Sequence, residues 1–422
     1  MAVRRAVRQN SAGIEPGSQR AVRRRPRDRK AQIAATSAAA FGALGYHGVS
    51  MEEIATKVGI SSAALYRHYP SKYALFREEL LRLGQITVEA ATLPAQAETW
   101  SAAARLRHVI EALVAQTLAN RPTVTLARWE GRYLDEEDGR TLTGQFAASL
   151  ASLGQLIGAV CPRWSRQDRF VRAVAVLSVV SSIGDHHAAL PTKSLAALLT
   201  SACWTAVHAQ LPAFVEQSPA AGQAMDPPTP FKHQLLLTKA VELFHERGYP
   251  NVSVEDIAAA ADLTAASAVY RYYRSKSDLL TAAFRRAADR VAGAIGPAIA
   301  SSATPGEALT ELIALYVDGS FAERELTFVY YTEFSHIPPE DRVVLRNIQR
   351  LSVAEWVKLL VAVRSDLSEA QARILVHAAF GLVVDLGRAL GDRRRGLPRD
   401  AVIRLMEVTL FDTAAQPPVV PK

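Results

Sequence analysis

The sequence repeats itself at a fixed distance. Phe41, Gly45, Tyr46, Val49, Ser50, Glu52, Ile54 and Ala55 recur as Phe244, Gly248, Tyr249, Val252, Ser253, Glu255, Ile257 and Ala258, each 203 positions on. Tyr66, Arg67, Tyr69, Ser71, Lys72 and Leu75 recur 204 positions on as Tyr270, Arg271, Tyr273, Ser275, Lys276 and Leu279, and Glu130 and Leu134 return to the first offset as Glu333 and Ile337. A register held this far means that a whole module is duplicated, not a short motif. Any fold adopted near residue 41 must be built again near residue 244. Apolar residues recur at three- and four-residue spacings along both halves and nothing reads as a strand, so the expected fold is all-α. With 49% hydrophobic and 21% charged residues over 422 positions, the chain can fill a core in each module.

Within the first copy the stretch Ser50 to Lys72, SMEEIATKVGISSAALYRHYPSK, is the most informative. Ser50 with Glu53 three residues later is a capping-box pattern. Ile54, Ala55 and Val58 make one apolar face, and Gly59 supplies the left-handed conformation that closes a helix. Ser61 caps a second short helix, which opens on Ser62, Ala63 and Ala64. Leu65 and Tyr69, four apart, face inward, while Tyr66, Arg67 and His68 stay near the surface. Pro70 stops this helix, Ser71 caps the next, and Lys72 lies in its first turn. Two short helices around a glycine turn, the second starting with small residues, make a helix-turn-helix that enters a major groove. A first helix is expected from Asp28 to Leu44, and a long one from Ser71 to about Ala91.

In order and without gaps, Phe41, Gly45, Tyr46, Ser50, Ile54, Ala55, Gly59, Ser61, Leu65, Tyr66, His68, Tyr69, Ser71, Lys72 and Leu75 resemble the DNA-binding domain of the TetR family of bacterial transcriptional regulators. The resemblance implies two tandem modules, each a three-helix helix-turn-helix domain followed by a helical ligand-binding and dimerisation domain. It implies that the fourth helix joins these two parts and that the last two long helices form the dimer interface. Carried onto this chain, Ser62, Ala63 and Ala64 face bases, and Tyr66, His68 and Lys72 hold phosphates, with Ser50, Ser61 and Arg67 beside them. The implied function is a transcriptional regulator, a repressor released when a small, mostly apolar effector in the helical core moves the fourth helix. Such release requires that the effector bind the two arrangements with different affinity.

Pattern and resemblance divide the chain into a basic arm (1–26), a helix-turn-helix domain (27–87), a helical ligand-binding domain (88–215), a linker (216–230), a second helix-turn-helix domain (231–290) and a second ligand-binding domain (291–415). Helices are expected near 102–119, 123–135, 139–159, 166–189 and 193–211, then near 306–318, 321–336, 339–363, 368–391 and 398–411. The linker, EQSPAAGQAMDPPTP, has no periodicity; fifteen flexible residues average about 20 Å end to end, enough for the modules to pair within one chain. An intramolecular pseudo-dimer, packing 166–211 against 368–411, is expected, with a homodimer of chains as the alternative.

The second copy is not equivalent. ISSAALYRHY becomes LTAASAVYRYY, with one residue inserted between Leu263 and Val269, and Asp262 stands where the first copy has its turn Gly59. One extra residue rotates the side chains beyond it by about 100° on an α-helix, so Val269 keeps a core role only if the helix starts late or bulges. Thr264, Ala265 and Ser267 are the candidate base-facing residues, with Tyr270, Arg271 and Lys276 as candidate phosphate contacts. Base reading by this copy is expected to be weakened.

The net charge of +8 is concentrated in residues 1–30, where Arg4, Arg5, Arg8, Arg20, Arg23, Arg24, Arg25, Arg27, Arg29 and Lys30 stand against Glu15 and Asp28. Arg23, Arg24, Arg25, Arg27 and Lys30 flank the first helix and are expected to reach phosphates or an adjacent minor groove. No apolar core follows Arg4-Arg5, so an export signal is not expected. Cys161 and Cys203 offer neither a disulfide framework nor a zinc spacing, and the longest apolar run, Val174 to Ile183, is too short for a bilayer. A cytoplasmic protein with no membrane partner is expected.

No phosphate-binding GxxxxGK[ST] loop and no HExxH occurs, and GALGYHG lacks a preceding strand, so no cofactor, metal or enzymatic activity is expected. His186-His187 with Asp185 read as polar lining of a cavity or interface, and Asp135 to Asp138 as a solvated junction. Trp129, Arg132 and Tyr133, with Tyr330 and Glu333 in the repeat, are candidate ligand contacts, against the plainer reading of core aromatics. The expected partners are double-stranded operator DNA and a small-molecule effector. The alternative is a ligand- or protein-binding helical module whose helix-turn-helix copies are structural remnants.

Overall fold

The computed structural model describes residues 26–186, 188–212, 231–390 and 399–412, and of residues 26–28 the backbone alone. Arg23, Arg24, Arg25, the Arg27 side chain, His187 and the linker lie outside the described residues. Among the described residues every regular element is a helix.

The first module runs α1 (Pro26–Leu44), α2 (Met51–Val58), α3 (Ser62–His68), α4 (Lys72–Ala90), α5 (Ala102–Ala119), α6 (Arg121–Glu130), α7 (Glu136–Val160), α8 (Arg166–Ser181) and α9 (Thr192–His208). The second runs α10 (Lys232–Arg247), α11 (Val254–Ala260), α12 (Lys276–Ser301), α13 (Pro305–Ala322), α14 (Arg324–Thr332), α15 (Pro339–Val363), α16 (Glu369–Leu390) and α17 (Arg399–Phe411). Where α3 stands in the first module, the second has a single 3-10 segment, Ala266–Arg271.

The apolar faces make three cores. One, around Ile33, Phe41, Ile54, Leu65 and Phe76, holds α1 to α4 together, and its repeat, around Leu236, Phe244, Ile257 and Phe284, holds α10 to α12. The third belongs to both modules at once: Val176, Val179 and Ala206 from α8 and α9 pack in one cluster with Ala379, Leu382 and Leu405 from α16 and α17. Helix α8 lies along α16, and α9 lies against α17.

Three helices are markedly shorter than the sequence pattern predicts; one, expected over 321–336, is α14, followed by a 3-10 turn, Phe334–His336. The helix expected over 166–189 ends at Ser181 and becomes a 3-10 turn, Ser182–Asp185. There the chain meets α6: the Thr125 hydroxyl donates to the Gly184 carbonyl at 2.8 Å, and a β-carbon on Gly184 would come within 2.6 Å of the Thr125 oxygen. The helix expected over 123–135 starts at Arg121, with Pro122 in its first turn, and stops at Glu130. A 3-10 turn, Gly131–Tyr133, follows and carries two of the candidate ligand residues.

Candidate nucleic-acid interface and effector cavity

The first helix-turn-helix is built from its caps. Ser50 Oγ accepts from the Glu53 amide at 3.2 Å, and Glu53 returns a carboxylate oxygen to the Ser50 amide at 2.8 Å. Gly59 sits at φ +73°, donating back to Ala55 and Thr56, so α2 ends and the chain reverses. Ser61 Oγ accepts from the Ala64 amide at 3.2 Å and starts α3. Leu65 and Tyr69 anchor α3 in the core, while Ala63, Tyr66, Arg67 and His68 are exposed and Ser62 and Ala64 half-exposed. The outward face thus presents one hydroxyl at its start and a phenol, a guanidinium and an imidazole near its end. Ser50 and Ser61 have their hydroxyls engaged in capping.

Lys72 and Lys30 are placed differently from free phosphate ligands. The Lys72 ammonium donates to the carbonyls of Tyr46 and Val49, both at 3.0 Å, over the Tyr46 ring. It thereby ties α4 to the loop before α2. Lys30 pairs with Glu78 at 2.8 Å. The repeat keeps the same clamp: Lys276 donates to Tyr249 and Val252 at 2.9 and 2.7 Å.

The second copy departs at the insertion. Asp262 takes the left-handed conformation at φ +54°, which a β-carbon disfavours. The following segment has no side-chain cap and tightens into the 3-10 turn. Val269 and Tyr273 stay buried, and Thr264, Ala265, Ser267, Tyr270 and Arg271 are all exposed. The segment therefore starts late, as the insertion requires, and does not form an α-helix.

Against known proteins, the family model described as bacterial regulatory proteins, tetR family, matches this chain twice, at residues 33–78 and 236–283. The chain carries the DNA-binding domain of that family twice, in tandem. Over 67 residues it is 39% identical to the HTH-type transcriptional activator FasR of Mycolicibacterium smegmatis, a match covering 16% of this chain and 31% of that protein. The chain thus spans about a third of the length of that curated relative. Among solved structures, it is similar to a TetR-family transcriptional regulator from Bordetella parapertussis 12822, at 21% identity and TM-score 0.39, over 42% of this chain and 93% of that one. The ketosteroid transcriptional regulator KstR2 of Mycobacterium tuberculosis is similar at 18% identity and TM-score 0.39, over 44% of this chain and 96% of that one.

Four of the five candidate ligand residues of the TetR-type modules lie at the junction between them, away from the large cavity. The Arg132 guanidinium pairs with Glu333 at 3.0 Å and donates to the His245 carbonyl at 2.8 Å, and the Tyr133 hydroxyl donates to Glu333 at 3.1 Å. Trp129 donates its indole N–H to Asp185 at 2.9 Å and stacks on Tyr331. Close beside it, Arg128 is clamped between Asp185 at 2.7 Å and Asp385 of the second module at 2.6 Å. Glu130 accepts the Tyr46 amide at 2.7 Å, and burial near Glu333 pushes its carboxyl up to about 7. His186 stacks on His377 across the same seam, and the described residues hold no cluster arranged for a metal ion.

The large cavity has a volume of about 450 Å³ and lies in the first module, walled by α4 to α8 and closed by α16 of the second. Its counterpart in the second module, which Tyr330 lines, is reduced to about 50 Å³. Paired at the repeat offset of 203, Leu113 and Leu177 of the first wall become Tyr316 and Phe380, and Ala127 becomes Tyr330. The Tyr316 and Phe380 rings stack at 4.4 Å and fill the space. Sequence reasoning missed these wall residues because it looked for aromatics as ligand contacts. The usable signal was a position-by-position comparison of the two halves, where small-to-large exchanges cluster in one wall.

Proposed function

We propose that this protein is a DNA-binding transcriptional regulator, a repressor that releases its operator when a small, mostly apolar effector enters the cavity of the first module. The observation that carries the reading is the path of α4. The helix starts at Lys72, clamped to the loop before α2, and its far half contributes Leu83 and Thr87 to the cavity wall. Ligand in the cavity and DNA on α3 would compete for the position of one rigid helix. The reading divides the chain into an arm, two helix-turn-helix domains, two ligand-binding domains and a linker, and assigns it no catalytic role. Ser62, Ala63 and Ala64 face bases, and Tyr66, Arg67, His68 and the arm arginines face phosphates. With few long polar side chains at the start of α3, DNA shape and the arm contribute much of the readout. The modules pair as an intramolecular pseudo-dimer, supported by the core that α8 and α9 share with α16 and α17. The place of action is the cytoplasm; no helix among the described residues is long and apolar enough to cross a membrane.

For the second copy alone, the 3-10 segment and Asp262 favour a structural remnant over a base reader. The test is a footprint on the DNA upstream of the gene, followed by a salt titration of binding. Steep loss of affinity with salt, lessened by deleting residues 1–27, supports phosphate neutralisation. A flat salt response would sink the regulator reading. A one-sided footprint from a chain monomeric by mass supports the pseudo-dimer, and a symmetric footprint from a dimer of chains counts against it.

A further inference from the structure

We infer that the cavity of the first module takes one apolar anion per chain, with its charged head at Arg388, a residue supplied by the second module. The inference deepens the proposed effector role and rests on it for the ligand's regulatory effect, while the site itself stands on the cavity.

The cavity wall is mostly apolar, with Thr87, Gln116 and Thr143 among its polar residues and with one charged end. Leu83, Leu113, Phe146, Phe170 and Leu177 form the body. Arg128, Ser178, Asp385 and Arg388 form the end. Two donors at that end are buried and without an acceptor: Arg128 Nε and Ser178 Oγ. They are neighbours, since a β-carbon on Gly381 would lie 2.7 Å from the Arg128 guanidinium and 3.5 Å from Ser178 Oγ. Neither atom has accessible surface of its own, so a ligand head in the cavity meets Arg388 and not these two.

Arg388 adds a charge to the same end. One of its guanidinium nitrogens donates to the Arg128 carbonyl at 3.1 Å, and the group also approaches the Phe328 ring. Among the described residues no carboxylate forms an ion pair with it. Asp385 lies near, but Arg128 already holds its oxygen at 2.6 Å. Burial of the guanidinium, with Arg128 and Arg132 nearby, pulls it below its ordinary pKa in spite of Asp385. The residue as a whole is nevertheless exposed, and it borders both this cavity and a smaller one beside Phe328. A wholly apolar ligand would leave the Arg388 guanidinium without an acceptor on the cavity side. A carboxylate or sulfonate on an apolar body satisfies both halves of the site. The second module cannot offer the same site, because its aromatic side chains occupy the volume and Tyr331 stands in place of Arg128.

The test uses the full chain and two fluorescent probes: anilinonaphthalenesulfonate, an apolar anion, and phenylnaphthylamine, the same apolar body without the sulfonate. The expected result is one site per chain for the anion. Arg388→Met should weaken the anion about tenfold or more and shift the neutral probe by no more than about twofold. Leu113→Tyr with Leu177→Phe, which copies the second module's wall, should remove the saturable signal of both probes. Circular dichroism checks that each variant is helical; should the double variant fail to fold, Arg388→Met still decides. No saturable binding of the anion, two equivalent sites per chain, or equal effects of Arg388→Met on both probes would overturn the inference. None of these readouts involves DNA. A chain that binds the anion as described but no DNA sinks the regulator reading alone, and one that binds DNA but fails the probe test sinks only this inference.

Discussion

The two modules began as the same sequence and now differ in two places that matter. In the first, α3 is a capped α-helix behind a glycine turn, and a cavity of about 450 Å³ lies beneath. In the second, the same stretch is a 3-10 turn behind Asp262, and the cavity has shrunk to about 50 Å³. Positions that anchor the fold have been kept through both changes. Val269 and Tyr273 are buried as Leu65 and Tyr69 are, and the lysine clamp is reproduced at Lys276. The inserted residue was absorbed by loosening the surface helix and not by withdrawing a core side chain. Burying a Leu or Val side chain is worth about 1.5–3 kcal/mol, more than the hydrogen bonds of one exposed short turn return.

The contrast can be tested by paired substitutions. The largest effect is expected at the ionic centre. Arg128→Met leaves Asp185 and Asp385 buried without their cation and should cost about 3–5 kcal/mol in urea unfolding. At the equivalent position Tyr331→Phe, which removes a hydroxyl 3.4 Å from that of Tyr316, should cost about 1 kcal/mol or less. Equal losses would mean that the two equivalent positions are energetically alike.

Next comes DNA. Tyr66→Ala should weaken specific binding about tenfold or more, and Tyr270→Ala no more than about twofold, by fluorescence anisotropy on a footprinted site. Equal losses would show that the inserted residue is harmless.

Glu130 and Glu333 offer a contrast in pH. Glu130 is buried with no ion-pair partner among the described residues, and its folded-state pKa, about 7, lies above the ordinary 4.5. The folded state therefore holds this proton between those values, and the group's contribution to stability falls as pH rises through that window. Glu130→Gln stays neutral, so relative to the parent it should gain about 1–3 kcal/mol between about pH 5 and about pH 8. Glu333→Gln breaks the pair with Arg132 and should destabilise at both. A Glu130→Gln difference that does not change with pH would remove the distinction.

The smallest effects are at the turns. Gly59→Ala should cost about 1 kcal/mol through backbone strain alone, since its β-carbon would meet nothing within 4 Å. Asp262→Gly, relieving φ +54°, should gain about 0.5–1 kcal/mol. Thermal melts that move the same way in both variants would contradict the assignment.

Much of the fold was legible because its determinants are local. Caps such as Ser50, Ser61 and Ser71 and the apolar spacing of Leu65 and Tyr69 fix helices within a few residues, and the repeat offset exposes the duplication directly. The shortened α8 was not legible, because Gly184 ends it by meeting Thr125, about sixty positions away. For the same reason Trp129, Arg132 and Tyr133 read as ligand contacts. Their partners, Asp185, Glu333 and the α10 carbonyls, are far along the chain, and one of the two seam carboxylates holding Arg128 comes from the other module. Lys72 looked like a free cation because its acceptors are main-chain carbonyls, which no side-chain pattern reveals.

The clamp around Arg128 also governs how such a molecule can change over generations. In a dimer of identical subunits one codon alters both sides of the axis, so every interface substitution must suit its own reflection. Here Arg128 faces Asp385, whose counterpart is Ser182, while Arg128 itself corresponds to Tyr331 and Asp185 to Arg388. Two copies of the first module, paired about the same axis, would set Arg128 opposite a serine. The halves have become complements that no longer recognise themselves, and each is free to mutate without dragging its twin along.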